Sequence, residues 1–219
     1  MMPIRHLQQA MLWLLASLLF SVQAHANVSD ADALRALVED NANTMVEKLN
    51  REKGLFASDP DAFYRSMEEA LDGFVDFRRI AGRVMGRYAR QSTPAQRDAF
   101  VNKFKRSLFE TYAQAVVNAD EFRIQVKSAT IPDNNPNRGM VDMDIISSSG
   151  ARYSVTYSMY RRDDGTWLME NIIAEGINLG LAFRDRFEQE MELKRGDLQA
   201  VIDGWSDVVE AMGEELDNS

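Results

Sequence analysis

The hydrophobic period of this chain changes near Asp120 and again after Gly176, and those changes limit the folds open to it. Before Asp120 apolar residues recur every three or four positions; between the two points they alternate. From Asp30 to Leu49 the positions Leu34, Leu37, Val38, Met45 and Leu49 describe one long amphipathic helix, interrupted by polar Asn41. Asp59-Pro60-Asp61 reads as a helix start with Phe63, Met67, Ala70 and Leu71 on its apolar side, and a further short helical segment is expected from Phe77 to Ala89. In Thr93-Pro94-Ala95-Gln96, Thr93 can cap, Pro94 can occupy the first turn and Gln96 can complete a capping box. The long helix that follows, to about Val117, has Phe100, Phe104, Leu108, Tyr112 and Ala115 as its core face.

Beyond Asp120, Phe122, Ile124 and Val126 alternate with Arg123, Gln125 and Lys127, and Val141, Met143 and Ile145 alternate with Asp142 and Asp144. The turn-rich stretch from Pro132 to Gly139 joins them as antiparallel strands. A third strand sets Tyr153, Val155, Tyr157 and Met159 against Arg152, Ser154, Thr156 and Tyr160, and Asp164-Gly165 is a hairpin signal before a fourth from Trp167 to Ile173. After Gly176 the period is helical again, with Leu179, Phe183 and Phe187 on one side, and a last helix from Asp197 carries Leu198, Val201, Ile202, Trp205, Val208 and Val209. The expected fold is therefore α+β: a curved antiparallel sheet of about four strands packed by helices, with a helical subdomain. Residues 1–26 form a leader, 27–119 the mainly helical part, and 120–219 the sheet part with C-terminal helices, the last two making one compact unit. One sheet face is consistently apolar and needs cover. Either the helices simply bury it, or sheet and helices diverge to leave an apolar cavity between them.

The side-chain inventory narrows the chemistry. The 219 residues contain no cysteine, and the only two histidines are His6 and His25. Both lie in a stretch with the pattern of a secretory signal: Arg5, an apolar run from Ala10 to Phe20, then Ala24-His25-Ala26 before Asn27. That run is too short for a comfortable membrane span, so the mature chain is expected to be a soluble periplasmic protein. Histidine triads, histidine-ligated metals, thiol nucleophiles and disulfides are all excluded from it. Packing alone must hold it together. The formal charge of -9 argues against nucleic acid, because the basic residues alternate with acids instead of forming a sustained positive footprint. Gly73, Gly82 and Gly86 fall among helices and complete no nucleotide-binding fingerprint. An enzyme built on paired carboxylates would draw on Asp142, Asp144, Glu170 and Glu175, although acids alternating outward from an apolar strand are more economically solvent-facing. A scaffold that binds protein partners without a ligand is the third class left open.

A set of short motifs runs through most of the mature chain. It comprises Val75-Asp76-Phe77 with Ile80, Met85-Gly86 and Tyr88; Thr93-Pro94 with Gln96 and Phe100; Phe104-Lys105 with Leu108 and Thr111-Tyr112; then Tyr160-Arg161, Gly165, Trp167, Asn171, Ile173-Ala174-Glu175-Gly176, Asn178, Arg184 and Phe187. In order and spacing this set resembles the MlaC or Ttg2 family of periplasmic phospholipid-binding proteins. The resemblance implies a shuttle, without catalytic residues, metal or cofactor, that sequesters phospholipid tails. Its partners would be an outer-membrane lipoprotein complex and an inner-membrane ABC transporter complex, with ATP bound by the transporter. A monomer suits such exchange.

Under that role the residues expected to line the cavity are Phe104, Leu108, Val141, Met143, Tyr153, Val155, Tyr157, Met159, Trp167, Met169 and Ile173. The sheet members are chosen because strict alternation turns them inward together, and Phe104 and Leu108 because they lie one helical turn apart and can face the sheet. Ordinary core packing is the alternative for each. Arg161, Arg162 and Arg184 are candidates for a headgroup or partner rim, where guanidinium groups meet phosphate or carboxylate, against a plain solvated hairpin with local ion pairs.

Overall fold

The computed structural model describes residues 29–118 and 121–217; the leader with His6 and His25, and Asp120, lie outside the described residues, as does the side chain of Ala115. Helix α1 (Asp30–Ser58) starts where Ser29 accepts a hydrogen bond from the Asp32 amide at 3.1 Å. It runs two turns beyond the expected end at Leu49. The extension is carried by the Lys48–Glu52 pair at 2.9 Å and by Leu55 and Phe56 packing against α2 residues. Asp59 accepts from the Ala62 amide at 2.9 Å and opens α2 (Pro60–Leu71). Asp76 does the same for α3 (Phe77–Met85) through the Arg79 amide. Gly86, at φ +54°, ends α3 and starts a 3-10 turn to Arg90, so the expected segment to Ala89 changes helical type midway.

At the head of α4 (Pro94–Asn118) the capping box forms reciprocally: Thr93 Oγ1 accepts from the Gln96 amide at 3.2 Å, and Gln96 Oε1 accepts from the Thr93 amide at 3.0 Å. The strands are β1 (Phe122–Thr130), β2 (Arg138–Ser147), β3 (Arg152–Arg161), β4 (Trp167–Ala174) and β5 (Ile177–Asn178), antiparallel in the order β1-β2-β3-β4-β5. The fifth strand has only two residues, too few for a period, which is why four were expected. Helix α5 (Leu179–Leu193) follows. The expected single C-terminal helix is two, α6 (Leu198–Asp203) and α7 (Trp205–Asp217), divided at Gly204.

Three apolar clusters hold these elements together. The first is wholly helical and joins α3, α4, α5, α6 and α7 around Phe100, Phe104, Phe187 and Trp205, each at most 1% exposed. The second lies on the inner face of the sheet, where α1 lays Leu34 and Val38 over Val141, Met143, Val155, Met159 and Met169. The third fastens α1, α2 and the end of α4 through Leu49, Phe63, Tyr64 and Met67. Leu37, placed on the apolar side of α1 by its period, is exposed. Between α2 and α3 the chain pairs with the sheet edge: Val75 forms a parallel bridge to Met169, with the Met169 amide donating to the Phe74 carbonyl at 2.8 Å and the Asp76 amide to the Met169 carbonyl at 3.0 Å.

Two bulges interrupt the ladders, at Lys127 in β1 and at Glu170 in β4. The second has a consequence for the site. Met159 pairs with Met169 but Ser158 pairs with Asn171, so Glu170 is an extra residue and the inward positions of β4 continue as Ile172 and Ala174. Strict alternation from Trp167 puts Ile173 inward. It pairs instead with Thr156 and Asn178, on the outer face.

Candidate functional site

The inner face of the sheet brings seven of the expected residues into one cluster. Val141, Met143, Val155, Met159 and Met169 are buried in it, and Tyr157 and Trp167 are half-buried against it. Four do not join it. Tyr153 sits opposite Ile145 at the far end of β3 and is 51% exposed. Ile173 points outward for the reason given above. Phe104 and Leu108 turn away from the sheet into the helical cluster, Phe104 meeting Phe183 edge-on at 5.4 Å between ring centroids. The face of α4 that carries them is claimed by α5 and Trp205, because five helices share that core, while the sheet cluster is reached by α1, α3 and Leu71 at the end of α2.

Tyr157 is the half-buried tyrosine of this inner face. It lies deep enough that burial pushes its phenol pKa up. Yet its side chain is only half-buried, and its hydroxyl makes no hydrogen bond among the described residues. Phe74 borders Tyr157, with ring centroids 6.2 Å apart, and Phe77, Ile80, Ile172 and Ala174 supply further half-buried apolar surface to the same cluster. On the far side of Phe77, Lys105 sits 5.7 Å from its ring; burial lowers the ammonium pKa, and Glu68 provides the counter-ion.

The acids considered for catalysis are all engaged, Asp144 and Glu170 by cations and Asp142 and Glu175 as acceptors from hydroxyl or amide donors. Asp142 accepts from Thr156 at 2.7 Å and Ser128 at 3.2 Å, and Lys127, bonded to Asp144 at 2.6 Å, holds that carboxyl below the usual range. Glu175 accepts from the Ser154 amide. Glu170 is 5% exposed and is shared by Arg79 at 2.5 Å, Arg83 at 3.1 Å and Arg138. A general acid at neutral pH needs a carboxyl pushed up, and Asp144 is displaced the other way. Among the described residues no group of three or more acids could hold a metal ion, and no helix is long and apolar enough to cross a membrane.

Arg161 and Arg162 flank the end of β3, where a polar cleft of about 700 Å³ opens between the β3–β4 hairpin, the β1–β2 connection and α3. Arg161 stacks over Trp167 with its guanidinium carbon 5.3 Å from the ring centroid and reaches Asp30 at 3.3 Å. Arg162 approaches Asp76 at 3.7 Å, and that carboxylate also accepts from the Tyr160 hydroxyl. Arg184 is not in this cleft. It is exposed on α5, near Gly86.

The profile of the family described as MlaC protein matches residues 39–207. The chain belongs to the MlaC protein family. It is 33% identical over 184 residues to the toluene tolerance protein ttg2D of Pseudomonas putida, covering 84% of each chain. It is 22% identical over 146 residues to the intermembrane phospholipid transport system binding protein MlaC of Haemophilus influenzae, covering 65% of this chain and 67% of that one. A solved structure of a phospholipid-binding protein from Ralstonia solanacearum, in complex with a phospholipid, superposes with a TM-score of 0.63 at 21% identity, over 80% of this chain and 98% of that one. That likeness establishes the shared fold.

Several residues around the site escape a reading by period. Phe74 and Val75 sit in a connection, and only their adjacency to Phe77 and Ile80 marks the segment as apolar. Ile172 and Ala174 are hidden by the bulge. Arg79 and Arg138 belong to the same cleft as Arg161 although they are far apart in sequence, and nothing local announces that.

Proposed function

We propose that this protein is a periplasmic phospholipid carrier. It holds acyl chains between the inner face of the sheet and the helices, and exchanges lipid with an outer-membrane lipoprotein complex and an inner-membrane ABC transporter complex. The observation that supports this most directly is Tyr157, deep in the protein yet incompletely covered, in the middle of an apolar surface built from β2, β3, β4 and α3. The P. putida and H. influenzae relatives, named for toluene tolerance and for intermembrane phospholipid transport, and the phospholipid in the R. solanacearum structure point to the same ligand. Each acyl methylene removed from water contributes roughly 0.8 kcal/mol, so a tail of about 15 methylenes supplies on the order of 12 kcal/mol before ordering costs. No bond needs to be broken, and the engagement of the four acids by cations, hydroxyls and an amide accords with that.

Entry of a tail requires the half-buried side chains on α3 and β4 to separate further. Helix α3 meets β4 through the Glu170 ion pairs and through half-buried Phe77 and Ile80, while Ala81, Val84 and Met85 tie it to the helical core. The carrier acts as a monomer in this reading.

Native mass spectrometry of the gently purified protein, followed by lipid extraction, tests the proposal. A discrete mass increment that extraction identifies as phospholipid is expected. Only the unliganded mass, even after incubation with phospholipid vesicles, refutes it and favours a ligand-free scaffold.

A further inference from the structure

Charges of both signs are mixed along most of this chain, but the segment from Phe77 to Gln91 carries five arginines and no acid, in a chain of net charge -9. Three of the five are occupied within the protein: Arg78 pairs with Asp98 at 2.7 Å, and Arg79 and Arg83 hold Glu170. The other two, Arg87 and Arg90, are exposed on the 3-10 turn and lie one turn apart on the same side of it. Arg87 meets Glu188 at 2.9 Å with both side chains open to water, and an exposed pair of this kind exchanges partners at little cost. Arg90 has no ion pair among the described residues.

Helix α5 brings a further cation to this face. The Tyr88 and Phe187 rings lie 6.0 Å apart and the Arg87–Glu188 pair spans the same junction, which seats α5 against the 3-10 turn. One turn earlier on α5, Arg184 lies over Gly86, where a Cβ would stand 3.4 Å from its Nε; the missing side chain leaves room for the guanidinium. Arg184 is exposed and has no carboxylate partner among the described residues. Leu181, three residues before it and so on the same side of the helix, is 50% exposed, and Ile177, just ahead of the helix, is equally open. Guanidinium groups beside an open aliphatic side chain, all on helical elements, suit a surface that offers carboxylates around an apolar contact.

We propose that Arg87, Arg90, Arg184 and Leu181 form the face by which this protein docks on an acidic protein surface presented by the membrane complexes of its transport system. The proposal rests on the carrier reading and adds a docking surface to it. Charge distinguishes a protein from a bilayer here. An anionic bilayer is an extended plane, and it would meet the exposed Asp185 and Glu192 of α5 as well as the arginines, whereas a compact acidic patch can engage the arginines alone. The acidity of the remaining chain then repels the same partner in other orientations, which selects one docking geometry.

Binding of the purified protein is measured by interferometry on the inner-membrane transporter complex in nanodiscs, on the outer-membrane lipoprotein complex in nanodiscs, and on empty nanodiscs containing phosphatidylglycerol. Arg184→Glu and Arg90→Glu are each expected to weaken binding to at least one complex about tenfold, and Leu181→Ala about threefold, with the parent's affinity falling as salt rises. Arg51→Glu, which makes the same change of net charge on exposed α1, leaves binding unchanged. None of the four alters the lipid that copurifies in native mass spectrometry, because none touches the sheet cluster. Parent-like binding of Arg184→Glu and Arg90→Glu to both complexes overturns the docking face and leaves the carrier intact. An equal loss with Arg51→Glu overturns it in favour of a net-charge effect. Binding of the parent to empty nanodiscs that Arg184→Glu abolishes overturns it in favour of an anionic lipid surface. Arginine-dependent binding to a complex by a protein that never carries lipid supports the docking face and defeats the carrier reading.

Discussion

Replacing Ile172 and Ile173 in turn by glutamate tests the direction in which β4 faces after its bulge. Ile172 lies opposite Tyr157 on the inner face and packs against the sheet cluster; Ile173 lies opposite Thr156, whose hydroxyl bonds to Asp142 on the outer face. Burying an isoleucine fully contributes about 1.5–3 kcal/mol, and Ile172 is half-buried, so its loss costs roughly 1–1.5 kcal/mol. Placing a carboxylate in that surface adds about 1–3 kcal/mol of desolvation without a partner. Ile172→Glu is expected to destabilise by about 3 kcal/mol, and Ile173→Glu, equally half-buried but on the outer face where the carboxylate can reach water, by only the lost burial of about 1–1.5 kcal/mol. For a protein of this size, roughly 2–4 °C in Tm accompanies each kcal/mol, so the first variant should melt about 6–12 °C below the parent and the second within a few degrees. Thermal unfolding followed by circular dichroism, with urea titration as a second probe, measures both. Equal losses, or a larger loss at Ile173, would refute the parity shift and restore strict alternation through Glu170. Lipid uptake gives an independent reading of the same point, since only the inner substitution should reduce it.

Two further expectations follow from the sheet cluster. A Cβ at Gly139 would come within 2.5 Å of Leu34 Cδ2, so Gly139→Ala should cost about 1–3 kcal/mol in urea unfolding, and adding Leu34→Ala, which makes room, should cost less than the sum of the two single changes. Burial raises the Tyr157 phenol pKa above the unfolded value, so the unfolded chain loses that proton first as pH rises; stability is complete below about pH 10 and falls above it, and Tyr157→Phe should remove that part of the alkaline loss while leaving neutral stability nearly unchanged. A steeper alkaline loss in the phenylalanine variant would show that the hydroxyl has a partner in the folded state.

The elements that could be read from the sequence are those whose signal is local. The Thr93–Gln96 capping box, the Asp59 and Asp76 caps and the Asp164-Gly165 turn act over three or four residues, and alternation in β2 and β3 is uninterrupted, so Val141, Met143, Val155 and Met159 were assignable to one face. The errors have distant causes. Nothing in the α4 sequence says that Phe104 and Leu108 will be claimed by Trp205 and Phe183 from the C-terminal helices and not by the sheet. The bulged Glu170 is met by arginines from α3 and β2, partners that lie far away in sequence, so nothing local marks the shift from Ile173 to Ile172. The same is true of the arginine cleft, whose members become neighbours through topology. Leu37 shows the converse: a position with the right period that no partner element covers.

The bulge also explains how two helices are fixed to the edge of a sheet whose inner face must remain adaptable. An extra residue lets two adjacent side chains, Glu170 and Asn171, serve polar contacts before Ile172 returns inward. Glu170 ties α3 and the start of β2 through its arginines. Asn171 Oδ1 accepts from the Gly180 amide at 3.0 Å, and its Nδ2 donates to Asn178 Oδ1 at 3.0 Å, the oxygen that also caps α5 by accepting from the Leu181 amide. Helix α5 therefore starts from the bulge. A Cβ at Gly180 would collide with the Asn171 side chain, so Gly180→Ala must displace it and release both amides. The expected cost is about 1–3 kcal/mol. Asn171→Ala should cost a similar amount, and because both changes break one network, the double variant should be little worse than either single one in urea unfolding. Additive losses would mean that α5 is seated by its apolar face alone, through Phe183 and Phe187, and that the bulge serves only the arginine side.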